Sequence, residues 1–137
     1  MIGSFSGSPG AELADRIAIV AGGSHGIGEA TCEALIGAGA KVYCFCKSND
    51  RPIGILRERL GRDSERFWEI RVDVTDDEGV AVAFSQVETE PVRLDILVNA
   101  VGSTDDGLLL RCGPERVRRT LELNLEAALI PRGRRFD

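Results

Sequence analysis

The segment Gly22-Gly23-Ser24-His25-Gly26-Ile27-Gly28 directly follows a short apolar run and opens a helical pattern. Glycines at such a junction let the chain turn sharply and let a phosphate approach backbone amides at a helix N-terminus, where unpaired donors and the helix dipole favour anions. A tight turn without a ligand is the alternative for this loop taken alone. Asp73 and Asn99 each close an expected parallel strand, at the sheet edge where open α/β folds bind ligands. Alone, Asp73 could serve the start of a helix and Asn99 could cap a loop; with the glycine loop they share one crevice, which favours ligand contact. Tyr43 and Lys47 have the spacing that on a helix would couple a phenol to an ammonium and lower the phenol pKa. They lie in an expected strand, where residues four apart are separated by about 13 Å, so no acid is assigned to Tyr43.

The elements that must position these groups alternate in type. Ile17–Ala21 is a short branched run suited to a fully buried parallel strand, and from Gly26 to about Ala38 the apolar residues Ile27, Ala30, Ala34, Leu35 and Ala38 recur at helical spacing before Gly39. Val42–Cys46 predicts a second strand, and Pro52–Leu60 a helix closed by Gly61. Trp68, Ile70 and Val72 alternate on a third strand, Asp76 to about Glu88 predicts an acid-led helix, and Leu94–Val98 predicts a fourth strand. Pro114 opens a last helix to about Ala128. Its apolar stripe, Val117, Leu121, Leu125 and Ala128, carries Asn124, an inward amide that needs a partner. Strands alternating with helices through short connections imply right-handed βαβ units and an open, doubly wound parallel sheet with strand order 3-2-1-4.

Composition narrows the class of ligand. The 137 residues are 43% hydrophobic and 28% charged, with net charge -5, which suits one globular domain and gives no electrostatic reason to bind nucleic acid or an anionic membrane. No apolar run approaches the roughly 20 residues of a membrane span. Residues 1–15 are expected to be a flexible Gly/Ser-rich segment without a signal pattern, and Glu12 and Asp15 argue against a transit peptide. The expected location is cytoplasmic, with the mitochondrial matrix left open. Cys32, Cys44, Cys46 and Cys112 form no Cys-x-x-Cys pair and His25 is the single histidine, so no metal site is expected and the cysteines read as packing residues.

Three motifs in order resemble the short-chain dehydrogenase/reductase family: Gly22-x-x-x-Gly26-x-Gly28, Arg71-Val72-Asp73-Val74-Thr75, and Asn99-Ala100-Val101-Gly102 after the fourth strand. The chain has Ala21 where the family usually has Thr, and Ala100 in place of a second Asn. The loop Gly102–Arg111 is similar to that of ketoacyl-carrier-protein reductases and tetrameric carbonyl reductases. The resemblance covers about Ile17–Ala128 and implies a Rossmann-type dinucleotide-binding domain over residues 16–128, of which about four strands are present, followed by a tail at 129–137 unlike the family. It implies that Gly22, Ser24, His25, Gly26, Ile27 and Gly28 hold the dinucleotide, with Asn99, Ala100 and Gly102 beside them. It further implies that Asp73 meets the adenine amino group and that the Val74 backbone holds the ring. Leu123-Asn124-Leu125 is similar to the helix whose Asn holds a water in the catalytic relay; the alternative is a satisfied core amide.

The cofactor expected is NADP(H). Enzymes using the unphosphorylated form usually carry an acid at the end of the second strand, whereas here Cys46 is followed by Lys47 and Ser48, with His25 at the loop position often held by Arg. A solvated surface lysine is the alternative for Lys47. The family's mechanism passes hydride to a carbonyl carbon while a Tyr, tuned by a Lys and assisted by a Ser, protonates the oxygen. Those groups are expected beyond the matched helix. The reading is an NADP(H)-dependent oxidoreductase for a carbonyl or 3-ketoacyl thioester, truncated before its catalytic Ser and Tyr-x-x-x-Lys and inactive alone, with homo- or hetero-oligomers expected. The alternative is a non-catalytic nucleotide-binding or regulatory partner of a full-length relative.

Overall fold

The structure, a computed structural model, describes residues 12–47, 53–87 and 93–128. The N-terminal residues 1–11, Ser48, the expected helix start at Pro52, Glu88 and the tail 129–137 lie outside the described residues.

Four parallel strands, β1 (Ile17–Ala21), β2 (Lys41–Cys46), β3 (Phe67–Arg71) and β4 (Ile96–Asn99), form one sheet in the order β3-β2-β1-β4. The register pairs Ile19 with Tyr43 and Leu97, and Phe45 with Ile70. Because successive strand residues face opposite sides, the central strands divide into two cores. Ala18, Val20, Val42, Cys44 and Cys46 pack with Phe67 against Cys32 and Ile36 of helix α1 (Gly26–Gly37) and Leu56 of helix α2 (Ile53–Leu60). Ile17, Ile19, Tyr43, Phe45, Ile70 and Val72 pack on the other face against Val80 and Ala83 of helix α3 (Asp77–Ser85). Trp68, Ile70 and Val72 do share one face, but Trp68 is half-exposed and stacks on Tyr43 with centroids 4.9 Å apart. The most buried residue of β3 is Phe67, on the opposite side.

Helix α1 ends as its glycines require: Gly39 has φ +102°, and its N–H donates to the Ile36 carbonyl at 2.9 Å. A 3-10 turn at Gly61–Arg66, which the apolar pattern does not announce, follows α2. Its Arg66 guanidinium donates to the Ile36 carbonyl at 2.8 Å and so satisfies the end of α1.

The last helix departs from expectation. Helix α4 runs Pro114–Leu121, with Pro in its first turn, and widens into a π-helical turn over Glu122–Glu126, where the Ala127 N–H donates to the Glu122 carbonyl. Val117, Leu121 and Leu125 are 46%, 50% and 54% exposed, so the stripe read as facing the core faces outward; Ala127, not Ala128, is the buried residue. A cavity of about 190 Å³ lined by Ile19, Phe45, Val80, Phe84, Leu97 and Ala127 separates the end of this helix from the sheet.

Candidate cofactor site

The C-terminal ends of β1, β2 and β4 meet at the glycine loop. Gly22 leaves β1 with φ +79°, its N–H donating to the Phe45 carbonyl at 2.8 Å, while the Ala100 N–H donates to the Ala21 carbonyl at 2.8 Å. A Cβ at Gly22 would lie 2.8 Å from the Ala100 carbonyl oxygen, so only glycine allows the β1 and β4 loops this approach. Gly28 sits directly under Gly22, whose carbonyl a Cβ would overlap. Gly26 is different: φ is +57° and nothing lies within 4 Å of where a Cβ would stand. The open side of the loop is therefore at Gly26, next to the first-turn amides of α1, which have no carbonyl one turn earlier to accept from them. His25 is the exposed N-cap residue and makes no side-chain cap, and Ile27 is 84% exposed beside it. An open cradle, left-handed glycines and free amides suit the pyrophosphate of a dinucleotide.

Asp73 and Asn99 stand at the same edge. Each closes a local turn: Asn99 Oδ1 accepts the Val101 N–H at 3.0 Å, and Asp73 Oδ1 accepts the Thr75 N–H at 3.0 Å and hydroxyl at 2.7 Å. Asp73 Oδ2 meets the Lys47 ammonium at 2.6 Å. That ammonium first, and the Thr75 bonds second, lower the Asp73 carboxyl to about 2. Asn124 lies in the π-turn and is exposed. Its amide donates to the carbonyls of Ser103 at 3.0 Å and Thr120 at 2.9 Å and accepts the Ser103 N–H at 3.2 Å, clamping the β4 loop to the helix. A Cβ at Gly102 would stand 2.9 Å from Asn124 Oδ1, so a side chain there would press on this clamp.

A sequence profile described as short chain dehydrogenase matches residues 16–131. The chain belongs to the short-chain dehydrogenase family. It is 35% identical over 103 residues to a short chain dehydrogenase of Pseudocercospora fijiensis, covering 75% of this chain and 31% of that protein. It is 34% identical over 112 residues to the 3-oxoacyl-acyl-carrier-protein reductase of Escherichia coli, covering 82% and 44% respectively. The acetoacetyl-CoA reductase of Rhizobium meliloti is 33% identical over 110 residues, covering 80% and 44%. A solved short chain dehydrogenase from Mycobacterium smegmatis superposes with TM-score 0.75 at 26% identity, covering 90% of this chain and 51% of that one. The chain spans less than half the length of these sequence relatives.

Within this short-chain dehydrogenase fold, Gly22, Ser24, His25, Gly26, Ile27 and Gly28 form one loop, and Asp73, Val74, Asn99, Ala100 and Gly102 lie at the ends of β3 and β4 beyond it. Lys47 lies just past β2 and pairs there with Asp73. Asn124 is corrected in its surroundings: it is an exposed clamp on a loop, not an amide within an apolar stripe. Thr75 carried no role in the sequence reading, although a Thr two residues after an Asp is a turn signal in itself. Tyr43 is 5% exposed within β2, which agrees with withholding an acid role from it.

Proposed function

We propose that these residues form the dinucleotide-binding part of an NADP(H)-dependent short-chain oxidoreductase that reduces a carbonyl or 3-ketoacyl thioester. The observation that carries the reading is the open left-handed cradle at Gly26, placed beside the strand ends that bear Asp73 and Asn99. Gly22 through Gly28 would hold the pyrophosphate, Asp73 and Val74 the adenine, and Asn99, Ala100 and Gly102 the far ribose. Lys47, with Ser48 and His25, would meet the 2'-phosphate. When bound, the nicotinamide would supply hydride. The chain's own residues orient it and leave the proton to a group other than buried Tyr43. The 3-oxoacyl and acetoacetyl-CoA names of the relatives support a ketoacyl thioester as substrate.

The test is a fluorescence titration with NADPH and NADH. Tighter NADPH binding is expected, and Lys47→Ala should weaken NADPH by roughly tenfold, the size of one charge-assisted contact, while sparing NADH. No binding of either nucleotide sinks the reading, and equal loss of both on Lys47→Ala sinks the NADP assignment. The exposed Val117, Leu121 and Leu125 favour a second reading, a nucleotide-binding subunit that docks on a relative through α4. A stable mixed oligomer in size-exclusion chromatography would select it.

A further inference from the structure

Lys47 is not a free cation at the end of β2. Its side chain is 74% exposed, yet its ammonium stays 2.6 Å from Asp73 Oδ2. Asp73 in turn is fixed from its other oxygen by the Thr75 N–H and hydroxyl, at 3.0 and 2.7 Å, so the carboxylate cannot swing aside without breaking two bonds. The carboxylate raises the lysine pKa, and Glu122 adds to that effect from the π-helical turn after α4. Both partners are therefore charged at neutral pH, and the pair sums to zero where a lone lysine would present one positive charge.

We propose that Asp73 is a specificity-determining residue that competes with the 2'-phosphate of the dinucleotide for Lys47, and so holds down the preference for the phosphorylated cofactor. The proposal rests on the reading of Lys47 as the phosphate contact. A ribose hydroxyl carries no charge and leaves the ion pair intact. A phosphate has to share the ammonium with Asp73 and stand near a second anion, which is unfavourable at ion-pair range.

Asp73→Asn keeps the side-chain size and a carbonyl oxygen for Thr75 while removing the charge. Titrating NADPH and NADH into the wild type, Asp73→Asn, Lys47→Ala and the double variant should show the NADPH:NADH affinity ratio rising about three- to tenfold in Asp73→Asn, less at high salt, as expected for an exposed charge pair. The rise should vanish in the double variant. Should Asp73→Asn fail to fold, Thr75→Val loosens the same carboxylate and should raise the ratio by a smaller factor. A ratio that stays level or falls in Asp73→Asn, while Lys47→Ala still lowers it, overturns the proposal and leaves the phosphate contact standing. A rise that persists in the double variant overturns both, because Asp73 would then repel the phosphate with no part for Lys47.

Discussion

At Gly26 the backbone is left-handed with open space where a side chain would go; at Gly22 a left-handed φ is combined with an Ala100 carbonyl 2.8 Å from any Cβ; at Gly28 the obstacle is the backbone of Gly22 and Gly23, with the Gly22 carbonyl foremost. Alanine at each position therefore isolates a different cost. Gly26→Ala should lose about 1–2 kcal/mol, the price of the left-handed region for a residue with a Cβ. Gly22→Ala should lose about 2–4 kcal/mol, because strain is joined by displacement of the β4 loop. Gly28→Ala should be the most damaging of the three, since two backbone segments cannot both keep their places. Urea unfolding of the three variants checks the order, and a Gly26→Ala variant less stable than Gly22→Ala would contradict it. The spacing of these glycines was legible in the sequence. Their separate reasons were not, since the atom that forbids a side chain at Gly22 belongs to a loop far along the chain. The same holds for Lys47 and Asp73, each noticed alone, whose pairing depends on β2 and β3 being neighbours.

Among the elements, β1 and β2 announce themselves because both of their faces are buried, which turns alternation into a continuous apolar run. Periodicity in α4 correctly grouped Val117, Leu121 and Leu125, but it reports which residues share a face and not what that face meets. The start of β4 was placed early because Asp95 sits in the apolar run yet serves as a clasp. Its N–H donates to the Ile17 carbonyl at 3.0 Å, its Oδ2 accepts the Ile17 N–H at 2.9 Å, and its Oδ1 meets Arg16 and Arg93. The Ile17 N–H first, and Arg93 next, lower this carboxyl to about 2. An unfolded Asp titrates near 3.9, so the folded state binds fewer protons between these values. The contribution is complete above about pH 4 and is lost as pH falls through about 2. Asp95→Asn should therefore lower the urea midpoint at pH 7 and flatten its decline in acid, so that the two curves converge near pH 2. A constant gap between them across this range would show that charge on the clasp is immaterial.

For the molecule as a whole, the alternation of elements was enough to reach the strand order, because βαβ handedness leaves few alternatives once four strands and their helices are in sequence. Coverage was harder to foresee. The face under α1 and α2 is filled, whereas the face under α3 keeps a cavity beside β4, with Leu97 42% exposed. The filled face also holds three sulfurs. Cys32, Cys44 and Cys46 are buried together, and a Cβ on Gly23 would stand 2.8 Å from the sulfurs of both Cys32 and Cys44, so the glycine loop rests on them. Cys32, then burial, pushes the Cys44 thiol up against a lowering hydrogen bond with Cys46, and Cys44, then burial, pushes the Cys46 thiol up. An alkylating reagent needs a thiolate it can reach. Cys112, partly exposed, should react in a fast phase of one equivalent, and the other three only when the domain opens. Their alkylation rate then becomes a clock for that opening, readable by mass without a denaturant. Saturating dinucleotide should slow the clock by the factor 1 + [L]/Kd if it binds the closed form alone. More than one fast equivalent in the native protein would mean that the sulfurs are not sealed beneath the loop.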